Sequence, residues 1–343
     1  MTSPRPPLEG ITLRALAILG GALVAAGLLY VTIGEARQVL DGKPRPQVSM
    51  AGAPGTLAVL PDHRRMDFVC TGQGSPTVLL ESGFGAGASA WGRVQPRIAA
   101  KTRVCAYDRA GFGFSDTGPM PRDGAAIARD LDFGLKAARI PGPYVVVGHS
   151  AGGLYARLFA ARRRHDVVGL VFVDSSVEHQ TQRMEAMFGR GAGSLDGLER
   201  RALRCLKLTS EPRSAGDDAA LLECAPLSGD AHTRQVQLRP ETYRTQVSEL
   251  DSLFTTTSDE VDRIGDLLRD MPAIVLTAAK GDGAAGVAED PGGAAWQSFH
   301  RQLAGSFLHG DHRLVKSGHL MMFDRPEVVA GAALELVDTA RKR

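Results

Sequence analysis

The stretch Tyr144-Val145-Val146-Val147-Gly148-His149-Ser150-Ala151-Gly152-Gly153 constrains this chain more than any other. A run of apolar residues enters a Gly-x-Ser-x-Gly turn, and Gly152–Ala161 continues in a helical pattern. Continuous apolar runs of this kind are strands buried on both faces. A serine between such a strand and a helix must take a strained backbone conformation that only small neighbours permit, and Gly148 and Gly152 supply the room. The turn lifts the Ser150 hydroxyl out of the sheet edge and above a helix N-terminus, where free N–H groups favour developing negative charge. Ser150 is the expected nucleophile.

The rest of the chain repeats the alternation. Met66–Cys70, Thr77–Leu80, Arg103–Tyr107, Val167–Val173, Ile274–Leu276 and Arg313–Val315 read as further short strands. Ala125–Ala138 reads as a helix, with Ile127, Leu131 and Leu135 at four-residue spacing, and Glu327–Arg341 as a closing helix. Asp324 is the expected N-cap of that last helix, with Pro326 in its first turn and Glu327 at capping-box spacing. Strand–helix alternation argues for a mostly parallel sheet covered by helices. Residues 175–266 break the rhythm, being rich in charge and helix formers and lacking a strand signal. They are expected to form a helical lid over the carboxyl edge of the sheet, where ligands of open parallel sheets bind. That leaves a core of residues 56–174 and 267–343.

The N-terminus is different in character. Ala15–Ile33 holds 19 residues without a charge, long enough to cross a hydrocarbon core of about 30 Å as a helix. Residues 1–34 are read as a membrane anchor, the alternative being a secretory signal cleaved near Gly34-Glu35-Ala36. Residues 35–55, with Pro44, Pro46 and Pro54, read as the linker to the folded body. A net charge of +2 gives no reason to expect nucleic acid, and no Gly-x-Gly-x-x-Gly with a following acid suggests a dinucleotide, so no cofactor is expected. His309 and His312 have spacing that a metal could use, but no carboxylate cluster accompanies them.

Four segments together resemble the α/β-hydrolase fold superfamily from about Met66 to the C-terminus. They are Glu81-Ser82-Gly83-Phe84-Gly85, Tyr107-Asp108-Arg109-Ala110-Gly111-Phe112-Gly113-Phe114-Ser115, the Ser150 turn and Ser317-Gly318-His319. The resemblance implies an α/β fold with an eight-stranded sheet in the order 1-2-4-3-5-6-7-8, helices on both faces and a helical lid. It places the catalytic base at His319, after the last strand, and not at His149, since adjacent positions on a turn point apart. It implies one oxyanion donor at the Ala151 N–H and a second after Leu80, taken as Phe84. Many relatives have His-Gly where this chain has Ser82-Gly83, which leaves the second donor open by one residue. Asp108 and Arg109 are implied to brace the loop beside the site.

The catalytic acid has two candidates. The superfamily usually places it after strand seven, where Asp282 lies in a glycine-rich loop. Some members use the end of strand six, where this chain has Asp174. A rigid strand end positions a side chain better than a loose loop, which favours Asp174. The strand order also makes Cys70 and Cys105 neighbours, while Cys205 and Cys224 both fall in the lid. Two disulfides would place the body in an oxidising compartment, periplasmic or extracellular. The expected activity is cleavage of a small-molecule carboxylic ester through an acyl-enzyme. Thioester, lactone or carbon–carbon hydrolysis, or a binding protein that keeps the fold, are the alternatives. Met184, Met187, Phe188, Leu250 and Leu253 could line an acyl pocket or simply pack the lid.

Overall fold

Val145 and Val147 face one side of their strand, Tyr144 and Val146 the other, and all four are buried. The same period of two runs through the neighbouring strands, so both faces of one sheet are apolar and both need covering. The computed structural model describes residues 52–211, 217–225, 231–279 and 291–343 and shows how they are covered. The anchor and most of the linker expected before residue 52, and Asp282, lie outside the described residues. No helix among the described residues is long and apolar enough to cross a membrane.

The strands are β1 (Thr56–Val59), β2 (Arg65–Thr71), β3 (Thr77–Glu81), β4 (Val104–Tyr107), β5 (Tyr144–His149), β6 (Val167–Val173), β7 (Ala273–Ala279) and β8 (Gly310–Lys316). They form one eight-stranded sheet in the order β1-β2-β4-β3-β5-β6-β7-β8, as expected. β1–β2 and β2–β4 pair antiparallel and the rest parallel. β1 carried no signal in the sequence because it is a short, largely solvent-facing edge strand. β8 extends beyond the expected Arg313–Val315 to mostly exposed residues, which left no apolar signal, as befits the opposite edge.

The helices of the core are α1 (Gln95–Ala99), α2 (Gly124–Ala137) and α3 (Gly152–Arg162) before β6. Between β6 and β7 come α4 (Gln180–Phe188), α5 (Asp196–Ser210), α6 (Asp217–Cys224), α7 (Ala231–Gln237), α8 (Pro240–Leu253) and α9 (Thr256–Asp262). The chain ends with α10 (Pro291–Gly305), α11 (Met321–Asp324) and α12 (Pro326–Arg341). Leu131, Leu135, Phe159, Phe299 and Leu303 from α2, α3 and α10 pack with Val146, Phe172 and Val275 on one face of the sheet. Ile98, Val329, Ala333 and Val337 from α1 and α12 pack with Val147, Val173 and Leu276 on the other. Full burial of one such Val, Leu or Phe contributes about 1.5–3 kcal/mol, so two closed layers outweigh the weak propensities of the individual elements.

Asp324 does not cap α12. Arg325 holds the N-cap position without a side-chain cap. Asp324 instead ends α11 and accepts the Gly318 N–H at 3.1 Å, bracing the turn that precedes His319. A capping-box spacing was legible, but a one-turn helix before Pro326 took the acid out of position.

The helices between β6 and β7 are tied to the loops at the carboxyl edge. The Gly124 N–H donates to Thr257 Oγ1 at 2.9 Å, the Arg122 N–H to Ser248 Oγ at 2.9 Å, and Arg239 to the Gly113 carbonyl at 2.7 Å. A disulfide joins Cys205 on α5 to Cys224 on α6. A second joins Cys70 to Cys105, which lie directly opposite one another on β2 and β4.

Candidate active site

Ser150 sits between β5 and α3 with φ +51°, in the left-handed region that costs a non-glycine residue about 1–3 kcal/mol. The surroundings over-determine it. Its N–H donates to the Val173 carbonyl at 3.2 Å, and its carbonyl accepts the N–H groups of Gly153 at 3.0 Å and Ser176 at 2.9 Å. A Cβ on Gly148 would lie 2.6 Å from the Gly152 carbonyl oxygen, and one on Gly152 would lie 2.6 Å from the Glu81 carbonyl oxygen. The two glycines are therefore required by close approach of backbone on either side of the serine.

Asp174 ends β6, also at positive φ (+42°), with its N–H bonded to the Leu276 carbonyl at 2.8 Å. Its Oδ2 meets His319 Nδ1 at 2.7 Å. Its Oδ1 accepts the Ala278 N–H at 2.9 Å and the Trp296 Nε1–H at 2.8 Å. Burial would push this carboxyl up, but His319, Trp296 and the Ala278 N–H together hold it below the usual carboxylate range. The carboxylate is therefore ionised and fully occupied, while the His319 side chain is 50% exposed. A buried anion on Nδ1 selects the tautomer that leaves Nε2 free to accept a proton.

His149 was set aside as the base because adjacent positions on a turn point apart. Its ring lies 4.7 Å from the His319 ring, and its Nε2–H donates to the His319 carbonyl at 2.9 Å. The carbonyl can only accept, so the proton is on Nε2 and Nδ1 is a bare acceptor. Burial, reinforced by the nearby His319, pushes His149 down to about 4, so it stays neutral. Gly83 covers Nδ1, and a Cβ there would lie 2.8 Å from Nδ1 and 3.0 Å from Ser150 Cβ.

That contact brings the loop after β3 against the serine. Phe84 packs on the cluster that contains Ala151, Leu154 and Tyr155. Among the described residues, the N–H groups of Phe84 and Ala151 enter no hydrogen bond. The loop is held from behind by Arg109, which is buried and donates to the Ser82 carbonyl at 2.6 Å and the Gly83 carbonyl at 3.0 Å. The same guanidinium pairs with Glu81 at 3.0 Å and with Glu249 of α8 at 3.1 Å. Burial pushes Glu81 up to about 7 against the pull of Arg109, and Tyr107 donates to it. Asp108 accepts the N–H groups of Ala88 at 2.8 Å and Phe114 at 2.9 Å. Both residues thus brace loops, as the resemblance implied.

Ser150, His319 and Asp174 are brought to one edge of the sheet; Asp282 lies outside the described residues. Leu253 is buried, in the cluster with Phe84 and Ala151, and packs α8 onto the core. Met187 and Phe188 are exposed. His149, Trp296 and His300 were not recognised from sequence. Only the adjacency of His149 to Ser150 and the four-residue spacing of Trp296 and His300 hinted at them.

The fold and this arrangement agree with comparisons to known proteins. Residues 78–333 match the model of the alpha/beta hydrolase family. An uncharacterised protein of Schizosaccharomyces pombe is 43% identical over 82 residues, 24% of this chain and 15% of that protein. A pimeloyl-[acyl-carrier protein] methyl ester esterase of Sodalis glossinidius is 35% identical over 106 residues, 31% of this chain and 39% of that protein. The matched segments thus span well under half of these relatives' own lengths. The structure of a thermophilic esterase from Thermogutta terrifontis superposes with a TM-score of 0.56 at 20% identity, covering 83% of this chain and 98% of that one. At that identity the likeness speaks for the fold alone. With the family model spanning β3 to α12 and the strand order in agreement, the chain belongs to the alpha/beta hydrolase family.

Proposed function

We propose that this protein is a serine hydrolase that cleaves a carboxylic ester of a small molecule through an acyl-enzyme. The observation that carries the reading is the 2.7 Å contact between His319 Nδ1 and a buried, ionised Asp174, on the sheet edge that also holds the strained Ser150. His319 Nε2 takes the Ser150 proton as Oγ attacks the ester carbonyl, and Asp174 stabilises the imidazolium. The N–H groups of Ala151 and Phe84 receive the oxyanion. Collapse of the tetrahedral intermediate breaks the C–O bond, and His319 gives its proton to the departing alkoxide. Water, deprotonated by His319, then attacks the acyl-enzyme and releases the acid and free Ser150.

The Sodalis relative, a methyl ester esterase, supports the ester bond. Residues 175–266 act as the lid, which the hydrogen bonds from α8 and α9 to the core loops support. The two disulfides, with the 19-residue uncharged segment Ala15–Ile33, support an extracytoplasmic body tethered to a membrane.

A fluorophosphonate probe tests the nucleophile. The wild type is labelled and Ser150→Ala is not; a wild type that resists labelling sinks the reading in favour of a binding protein. A panel of p-nitrophenyl esters of graded acyl length, with matched thioesters and lactones, tests the bond. Faster turnover of thioesters or lactones than of any ester displaces the ester reading.

A further inference from the structure

We propose that Trp296 and His300, one turn apart on α10, are positioning residues that clamp the acid of the triad: Trp296 holds the Asp174 carboxylate and His300 holds the peptide that follows it. The proposal rests on the reading of Asp174 as that acid.

Trp296 is the only side chain among the described residues, besides His319, that donates to Asp174. With the Ala278 N–H it saturates Oδ1, which leaves Oδ2 to His319. The His300 ring packs against Trp296 at a tilt of 54° with centroids 4.6 Å apart, so both rings lie on one face of the helix. His300 is wholly buried, and its Nε2 meets the Ser175 carbonyl at 2.7 Å. Its Nδ1 meets Thr277 Oγ1 at 2.6 Å, and Thr277 Oγ1 meets His312 Nε2 at 2.8 Å.

Donor and acceptor roles along this chain have one solution for neutral rings. The Ser175 carbonyl can only accept, so His300 carries its proton on Nε2 and accepts at Nδ1. Thr277 must then donate its hydroxyl proton to His300, and His312 must donate Nε2–H to Thr277. Every bond runs in the same direction, from half-buried His312 to the peptide after Asp174. Its far end is tied to the nucleophile as well, since the Ser176 N–H bonds the Ser150 carbonyl at 2.9 Å. A polar chain placed among the apolar residues of α10 and β7 costs desolvation unless every member is satisfied. Here each member is satisfied, and the whole chain converges on the segment 174–176.

The pH dependence separates a clamp from general scaffolding. The titratable groups around the His319–Asp174 pair are His149, His300 and His312, each held below the ordinary histidine range by burial, with Arg301 and Asp311 beside His312. All three are therefore already neutral near pH 7, and none changes its charge as the pH rises through neutrality. Removing the neutral Trp296 donor leaves a carboxylate that attracts the imidazolium more strongly. The acidic limb of reactivity then moves to higher pH. Mere loosening of the pair moves it to lower pH.

The test is the second-order rate of fluorophosphonate labelling against pH, with melting temperatures as the folding check. Trp296→Phe is expected to label about tenfold more slowly near neutrality, with its acidic limb displaced upward by about half a pH unit. Thr277→Val is expected to label several-fold more slowly, and Thr277→Ser, which keeps the hydroxyl, to recover the wild-type rate. The threonine pair carries the test if Trp296→Phe does not fold. A limb that is unmoved or moves downward in Trp296→Phe overturns the clamp, as does Thr277→Ser behaving like Thr277→Val. An unlabelled wild type overturns the nucleophile reading and the clamp with it, whereas a labelled wild type with unchanged variants overturns the clamp alone.

Discussion

His149 donates its Nε2–H to the main-chain carbonyl of His319 across 2.9 Å, so the residue before Ser150 holds the backbone of the proposed base. Through Gly83 the same ring also fixes how closely the loop carrying Phe84 approaches Ser150. One neutral side chain therefore spaces three parts of the site. His149→Leu should keep the fold and lower kcat about tenfold, the worth of a buried hydrogen bond, with little change in KM. His149→Gln, whose amide can donate to the same carbonyl, should recover much of it. Equal kcat in the two variants would assign His149 to packing.

The choice between two carboxylates is open to a direct comparison. Asp174→Asn replaces the acceptor of His319 Nδ1 with a group that can present an N–H, and kcat should fall by about 10³-fold or more. Asp282→Asn should leave kcat within a few-fold of wild type. Loss of activity in Asp282→Asn alone would move the acid to the loop after β7.

Arg109 balances two buried carboxylates and binds two carbonyls of the loop after β3. Arg109→Met leaves Glu81 and Glu249 without their cation. Removing one partner from a buried ionic group costs about 3–5 kcal/mol. The expected result is a large fall in the urea midpoint at pH 8, smaller at pH 6. Glu81 stands at about 7 even with Arg109 pulling it down and higher without that pull, so at pH 6 it carries a proton in both proteins and less charge is left uncompensated.

Asp67 is wholly buried beneath Gly55 and close to the charge of Asp108, with the Gly55 backbone alone offsetting either. Burial, then repulsion from Asp108, pushes it up to about 6. A carboxyl raised in the folded state binds a proton that the unfolded chain has lost, so its contribution to stability falls as pH rises from about 4 to 6 and stays low above that. Asp67→Asn should match wild type in thermal unfolding at pH 4 and exceed it at pH 8, by roughly 2 kcal/mol. A variant no more stable than wild type at pH 8 would show that the ionised carboxylate is accommodated after all.

Much of the architecture was legible because its physics is local. Apolar runs such as Tyr144–Val147 and Val167–Val173 have no other home than a sheet covered on both faces. The edges were the least legible, since β1 and most of β8 face solvent and carry no apolar run. Asp324 shows the limit of a spacing rule. The capping-box pattern was real, yet the short helix α11 before Pro326 turned the acid toward Gly318 instead.

The sequence by itself determined the strand–helix rhythm, the strained serine between Gly148 and Gly152, and a histidine after the last strand, because each follows from a few consecutive residues. The tertiary structure alone decided which groups face one another. It brought Asp174 to His319 across 145 positions, Trp296 to Asp174 across 122, and the carbonyl of His319 to His149 across 170. It also gave Glu249 of α8 to Arg109 across 140 positions. Such contacts depend on the order in which parallel strands lie side by side and on which helix covers each face, and that order is set by burial over the whole sheet rather than by any segment of the chain.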